Sequence, residues 1–492
     1  MRIVSTASGN HALQVVSKRA GKLTVHKHIG TFRTDEEKAQ LIQKAEVFIR
    51  ERTGQMSLLE QTASFRPADI AVSENRPLFV YHLLAAIYDK LGFNSFPDAL
   101  IKDLVIARIY APSSKRETQD ILADLFNRHY ALITIYRHLK KGLEKNLKET
   151  FQNALIQFAK DGLHDTLKLV FYDVTTLYFE SIKKDTLRNF GFSKEHRAQE
   201  VQIVVGLVVN SQGFPLYYDI FSGKTFEGHT FLPVIETMQK LLGTKEVIVI
   251  ADSAMISQDN IDKLIAKNIG FIVGARVANL PTNLIDTIST QLNGHDKKTL
   301  SLTYRDQRLV CQYSEKRAAK DRSDRTKQVE KVKKALANPA TVASRYRFMK
   351  TDGKAYTLNT ALITKAEKLE GIKGYVTNTT LSEQTIIDRY HDLWRIENAF
   401  RFTKTDLEAR PVFHRLEETI KAHMVIVFAG LAMSRYIEIQ TGMSMQKVLK
   451  IAGKVLTHKV TNTKTGESAY VETTIEDQQV NEKIALLRAL GH

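Results

Sequence analysis

The sequence predicts an α/β protein: a mixed five-stranded sheet with flanking helices, a mainly helical region before it and a β-rich insertion within it. Three observations point there. From residue 167 the β-rich runs LKLVFYDV, VQIVVGLVV and GFPLYYDIF follow one another. After them a helical stretch, the buried-strand pattern EVIVIAD, a second helical stretch and the short strand GFIVGAR come in turn, an order that suits a mixed sheet with helices on its faces. Upstream, PLFVYHLLAAIYDKL and DALIKDLVIARIYA carry apolar residues at three- and four-residue spacing, the helical period.

Taken in order, residues 1–75 read as a small β-rich region, LQVVSKRAGKLTVHKHIGTF with a Gly-Lys turn, followed by a helix near 35–52. Residues 76–164 are helical, and PSSKRETQDILADLFNRHYALITIYRHLKKGL has the size of two short helices around a turn. That pair is either a helix-turn-helix that enters DNA or a plain packing module. Residues 165–275 hold the five strands. Asn210-Ser211-Gln212-Gly213 joins the second and third as a hairpin-like turn. Residues 276–374 interrupt the pattern with strand-like pieces (TLSLTYRDQRLVCQYS, YTLNTALIT, GYVTNT) and a basic helical stretch. Residues 375–455 return to helices. Residues 456–492 are polar and weakly patterned, and are expected to be a partly mobile tail.

At 492 residues the chain is long enough for more than one domain. Its 71 Lys and Arg against 54 Asp and Glu give a formal charge of +17. Self-repulsion of that size points to a polyanionic partner, nucleic acid first. From Lys316 to Lys350 there are twelve Lys or Arg against three Asp or Glu, which is either a solvated face or a phosphate-binding surface. A membrane partner is not expected, because no basic amphipathic anchor or lipidation motif is present. The longest apolar run, MVIVFAGLAM at 424–433, is too short to span a bilayer. A single cysteine, Cys311, excludes a disulfide within the chain and a cysteine zinc site, and fits a reducing compartment. A cytoplasmic location is expected.

Two isolated acids stand out. Asp173 ends the run LVFYD, and Asp252 ends VIVIAD. In open α/β sheets, sites lie outside the carboxyl ends of parallel strands, so these two would meet if their strands are neighbours. Like charges that close need a cation between them, and oxygen donors suit Mg²⁺ or Mn²⁺. Asp219, Asp259, Glu180 and Glu195 are acids of similar local setting, and an Asp after a strand is more often a turn or helix cap.

A third acid comes from YHDLWRIENAFRFTKTDLEARPVFHR, which reads as a helix. Tyr390, Glu397 and Lys404 are seven residues apart, so the stripe drifts only about 20° per step. Leu393, Ile396 and Phe400 lie beside it, placing Glu397 at the edge of an apolar face, where a carboxylate is rarely found unless paired or metal-bound. Three such acids can hold two metals, one activating an attacking oxygen and the other steadying the leaving oxygen of a phosphodiester. Trp394, the only tryptophan, reads as core.

These residues resemble the DDE transposases of bacterial insertion sequences. More narrowly, they resemble the branch whose third acid lies in a signature of Tyr, two residues, Arg, three residues, Glu, six residues, Lys. Tyr390, Glu397 and Lys404 fall on their places, and Leu393 stands at the Arg place. FYDVTTLYFE, GFSKEHRAQEVQIVVGLVVNSQGFPLYYDIFSGKT, VIVIADSAMIS and TKTDLEARPVFHR resemble the same family, from about 165 to 435.

The resemblance implies an RNase H-like (retroviral-integrase-like) core with Asp173, Asp252 and Glu397 as catalytic ligands of Mg²⁺ or Mn²⁺, two per site. It implies that Tyr390 and Lys404 contact the element's end, with Arg401 a stand-in for the missing Arg. Arg276 and His196–Arg197 are candidate phosphate contacts, and His414 and Arg415 could reach DNA. The implied activity is cut-and-paste transposition by a homodimer on DNA. A nuclease without strand transfer and a decayed DNA-binding regulator are the rival readings.

Overall fold

The computed structural model describes residues 1–6, 9–19, 22–53, 69–192, 199–243, 246–255, 257–337, 346–352, 355–410, 412, 414, 416–463 and 465–491. The chain divides into two compact units, one of residues 1–75 and 458–471, the other of 76–457 and 472–492.

In the first unit, strands β1 (Arg2–Ser5), β2 (His11–Arg19) and β3 (Lys22–Phe32) form an antiparallel meander. Helix α1 (Asp35–Thr53) packs on it, burying Leu13, Val15, Phe32 and Ala45 in a small core of their own. A second sheet joins β4 (Ile70–Arg76) to β15 (Thr457–Asn462) and β16 (Ser468–Glu472), in the order β16-β15-β4. The sequence suggests a weakly patterned tail from 456. These residues instead supply two strands, followed by helix α16 (Gln478–Gly491), which packs on the helices of the second unit through Val480, Ile484, Leu487 and Leu490.

The second unit opens with helices α2 (Leu78–Lys90), α3 (Ala99–Tyr110), α4 (Lys115–Phe126), α5 (Leu132–Glu144) and α6 (Leu147–Asp161). Their starts are chemically marked. Asp98 accepts from the amides of Leu100 and Ile101 at the head of α3. Ser114 accepts from Glu117 at the head of α4, the Ser-x-x-Glu arrangement of a capping box. The pair expected around a turn is α4 and α5, separated by Asn127 in the left-handed region (φ 56°).

The sheet has the predicted beginning. Strands β5 (Leu169–Tyr178), β6 (Gln202–Asn210) and β7 (Pro215–Ser222) form an antiparallel meander. Between β6 and β7, Asn210 Oδ1 accepts from the amides of Gln212 and Phe214, and Gly213 takes φ 78°, a conformation a Cβ would penalise. Helix α7 (Glu227–Leu242) leads to β8 (Ile248–Ala251), helix α8 (Gln258–Ala266) to β9 (Gly270–Ala275). Both β8 and β9 run parallel to β5, in the order β7-β6-β5-β8-β9.

The sheet does not stop at five strands. The segment 276–374 contributes helix α9 (Thr282–Leu292), the hairpin β10 (Thr299–Tyr304) and β11 (Gln307–Tyr313), and helix α10 (Glu315–Ala337). It continues with the small hairpin β12 (Met349–Asp352) and β13 (Ala355–Leu358) and helix α11 (Thr360–Lys368), and then β14 (Ile372–Thr377). Strand β14 pairs antiparallel with β9, β11 with β14 and β10 with β11, so one mixed sheet of eight strands results. An open edge on β9 would expose a row of unpaired backbone groups, and β14 covers it. Within TLSLTYRDQRLVCQYS the turn falls at Arg305 and Asp306, both at positive φ (52° and 58°), as a two-residue hairpin loop requires. In YTLNTALIT, expected as a strand, Asn359 accepts from the Leu362 amide and starts α11, so the second half is helical.

Two more helices, α12 (Glu383–His391) and α13 (Trp394–Thr405), precede α14 (Glu417–Thr441), and α15 (Met445–Ala452) follows it. Helix α14 is the core of the unit, packing on α3, α5 and β7. It has the length and composition to cross a membrane, yet 89% of its apolar window is buried inside the protein.

Candidate active site

The carboxylates are positioned by the sheet. Strands β5 and β8 run parallel with Tyr172 opposite Ala251, so Asp173 and Asp252 occupy the next register positions on neighbouring strands. Adjacent strands lie about 4.8 Å apart. Tyr172 points toward α7, where its hydroxyl meets Thr230 Oγ1 at 2.6 Å. Alternation along the strand sends Asp173 to the opposite face, the one α13 covers through Phe400 and Thr403. Asp173 does not end its strand as LVFYD suggests. The β-branched and aromatic residues VTTLY continue the pairing with β6 to Tyr178, and Asp173, opposite Leu207, sits half-buried in mid-strand. Asp252 does follow the last residue of β8. Its Oδ1 accepts from the Ser253 amide at 2.7 Å and from the Tyr390 hydroxyl at 3.1 Å.

The stripe that carries the third candidate acid spans two helices rather than one. Leu393 and Arg395 donate to the carbonyls three residues back, Tyr390 and Asp392, a tightening that ends α12 and starts α13. The seven-residue stripe therefore crosses a break. Tyr390 lies in the last turn of α12 and is buried, whereas Glu397 lies in the first turn of α13 and is exposed. Among the described residues no three His, Cys, Asp or Glu side chains are gathered closely enough to hold a metal ion. The donor type fits a hard divalent cation, with two carboxylates at adjacent register positions and a third on the helix over that face.

Tyr390 packs against Tyr375 of β14, their ring centroids 4.9 Å apart. Burial, and then the charge of Asp252, push its phenol up, so it remains a hydroxyl donor. Lys373, also on β14, holds its Nζ 4.6 Å above the Tyr390 ring and 5.7 Å from the Tyr375 centroid. Burial and the Arg317 guanidinium pull this ammonium below the ordinary lysine range, while Asp252 and Glu397 pull it back up. Sequence reasoning missed Lys373. The signal was a lone cation in the strand IKGYVT.

The other candidates scatter. Arg276 is exposed and donates to the Ser253 carbonyl at 3.2 Å, beside Asp252. Arg401 is exposed on α13, and Lys404 is half-buried in its last turn. Leu393 is buried among apolar side chains. Trp394, expected in the core, is 49% exposed, with the Arg395 guanidinium 5.1 Å from its ring. His414 is held down to about 4 by burial and by the neighbouring Lys115 and Arg108, with the His423 ring 5.0 Å away. Arg197, His196, Glu195 and Arg415 lie outside the described residues. Of the similar acids, Asp219 pairs with Lys148 at 2.7 Å, both half-buried, and Asp259 with Lys263 at 2.7 Å on the surface.

A cleft of about 810 Å³ opens beside Asp252 and Tyr390, and Lys373, Arg317, Arg325, Arg347 and Lys365 line it together with Asp321, Asp324 and Glu370. One side is α10, whose exposed Lys316, Lys320, Lys327, Lys331 and Lys334 recur at three-, four- and seven-residue spacing. That spacing sets them in one stripe along the helix.

A family model described as Transposase DDE domain matches residues 166–433. No curated protein matches the chain. Among solved structures, a piggyBac transposase synaptic complex with hairpin DNA is similar at 8% identity and a TM-score of 0.37, covering 83% of this chain and 74% of that one.

Proposed function

The chain belongs to the DDE transposase family, and on that premise we propose that it cuts DNA at the ends of an insertion sequence and joins the freed ends to target DNA. The observation that carries this is the meeting of Asp173 and Asp252 at adjacent register positions on parallel strands, with the Tyr390 hydroxyl bonded to Asp252. The strand order β7-β6-β5-β8-β9, an antiparallel meander followed by two parallel strands, supports an RNase H-like core to which the insertion has added three strands.

Asp173 and Asp252 are the candidate ligands of Mg²⁺ or Mn²⁺, with Glu397 of α13 the candidate third ligand. When bound, such a cation supplies an activated oxygen and neutralises charge developing on the phosphate. The protein's own groups position the rest. Tyr390 fixes the Asp252 carboxylate through its hydroxyl. Arg276 pins the turn after β8 through the Ser253 carbonyl. Lys404 and Arg401 project from the helix of the third acid and are candidate contacts to the DNA end, where a lysine serves as a point charge for phosphate. The lysine stripe of α10 offers a surface for the flanking duplex, and α2–α6 are the candidate end-binding helices. Joining two ends requires at least two copies, so a homodimer on DNA is the working assembly.

The test is a labelled duplex of the element's terminal repeat incubated with the protein and Mg²⁺, with Asp173→Asn and Glu397→Gln alongside. Cleavage at the repeat's end, abolished in both variants with binding retained, is expected. Cleavage without joined products would indicate a nuclease. Binding without cleavage by the wild type would indicate a regulator.

A further inference from the structure

Lys373 occupies an unusual place for a cation. It stands on the sheet, half-buried, with its ammonium held over the faces of two tyrosines that touch each other. A cation over an aromatic face is attracted by the ring without using its N–H donors. Among the described residues no hydrogen bond or ion pair to the Lys373 ammonium is found, although Asp252 and Glu397 both act on its charge. An ammonium whose only role was to neutralise those acids would sit in contact with one of them. This one stands off, lines the same cleft as Asp252 and Tyr390, and keeps its donors free.

The surroundings limit what those donors can meet. Arg317 faces Lys373 from α10. His391 at the end of α12 has its Nε2 3.5 Å from the Tyr375 hydroxyl. The groups pressing on the ammonium are thus two cations or potential cations and two acids. Leu393, at the place where the family signature carries its arginine, is buried and apolar. The helix therefore brings no cation to that position, and the strand brings one within reach of the same carboxylates.

We propose that Lys373 contacts a non-bridging oxygen of the phosphate being cut, supplying from β14 the positive charge that this chain lacks at Leu393. The inference rests on the transposase reading above. Tyr390 and Tyr375 then have a second task, since their rings hold the ammonium in place before DNA arrives. Preorganised charge of this kind acts most strongly as negative charge builds on the phosphate.

The experiment uses the full chain and two labelled terminal-repeat duplexes, one natural and one with a neutral methylphosphonate at the cut position. Single-turnover cleavage in Mg²⁺ is compared for wild type, Lys373→Met and Lys373→Arg, with duplex affinity and melting temperature measured in parallel. The expected result on natural DNA is a loss of about 10²–10³-fold in rate for K373M. Affinity should be nearly unchanged, and K373R should recover most of the rate. On the methylphosphonate duplex the gap between wild type and K373M should close to within about threefold, because the charge Lys373 answers is gone. If K373M melts early, Lys373→Gln replaces it. K373M cleaving natural DNA as fast as wild type overturns the proposal, and so does a gap that persists on the neutral duplex. A wild-type protein that binds but never cuts overturns the transposase reading instead, and Lys373's role falls with it.

Discussion

The Tyr390 hydroxyl donates to Oδ1 of Asp252 across 3.1 Å, joining residues 138 positions apart. It ties the helix before the third acid to the strand that carries the second. A hydrogen bond to a charged acceptor contributes about 1.5–3 kcal/mol, and part of that is orientation of the carboxylate. Tyr390→Phe should therefore slow end cleavage by roughly tenfold, about 1.4 kcal/mol, while duplex binding holds. Single-turnover rates with matched affinity measurements check this; an unchanged rate would remove Tyr390 from the site.

Gly274 permits that contact. A Cβ built there would lie 2.5 Å from the Tyr390 hydroxyl oxygen and 3.3 Å from Ser253 Cβ. Gly274→Ala should displace the ring and destabilise the fold by about 1–3 kcal/mol, the usual range for overpacking. In the G274A/Y390F double variant the offending oxygen is gone, so its loss of stability should be smaller than the sum of the single losses. Thermal melts of the four proteins decide this, and strict additivity would argue against the contact.

In the helical region, Asp103 is buried and accepts from the hydroxyls of Tyr81 and Tyr130, each at 2.6 Å. Arg128 bridges the same group, donating to the Tyr81 hydroxyl at 3.0 Å. Asp103→Ala strands these donors, and a buried polar group left unsatisfied costs about 1–3 kcal/mol. The melting temperature should fall, and Asp103→Asn should recover part of it.

Acid should weaken the protein near α14. His414 is held down to about 4 from the ordinary histidine value, and the fully buried His423 lies well below it as well, each through burial first and then neighbouring cations. Lys115 and Arg108 face the pair, with Glu408 acting on Arg108. A depressed histidine is unprotonated when folded and takes up a proton on unfolding. Its contribution is complete above about pH 6.5 and declines as pH falls toward 4. Melting temperature should thus drop over that interval, and His414→Gln with His423→Gln should flatten the slope.

Binding to DNA should be strongly salt-dependent, with α10 as one source. Each lysine that neutralises a phosphate contributes about 0.9 to the slope of log affinity against log salt. Replacing exposed Lys320, Lys327 and Lys331 with Gln should lower that slope by roughly 2–3. An unchanged slope would place the duplex elsewhere.

The strands from 167 to 222 are legible because each is a run of β-branched and aromatic residues closed by a turn of definite chemistry, as at Asn210 to Gly213. That Asp173 and Asp252 lie on or just after strands of the sheet is legible for the same reason. What was hidden is pairing at a distance. Nothing local in GYVTNT says that β14 will lie against β9, or that β11 and β10 will follow. Spacing alone also misled at α12 and α13, where a seven-residue stripe fits one continuous helix as well as two helices with a tightened joint. Trp394 reads as core by composition, and its exposure depends on how α13 packs. The arginine missing at 393 was visible, whereas the lysine near the same acids sits on a strand that only the sheet brings there.

Strand β4 ends at Arg76, and β15, the strand it joins, begins at Thr457. At about 5–20 residues per second of synthesis, the ribosome takes roughly 20–80 s to travel from one to the other. Through that interval β4 lacks β15, its partner among the described residues, although the residues around it were among the first made. Residues 1–75 are made first, yet the unit they belong to is completed only when residues 458–471 have been made. A message truncated before codon 457 would encode Asp173, Asp252 and Glu397, leave this sheet open and also omit α16 from the second unit.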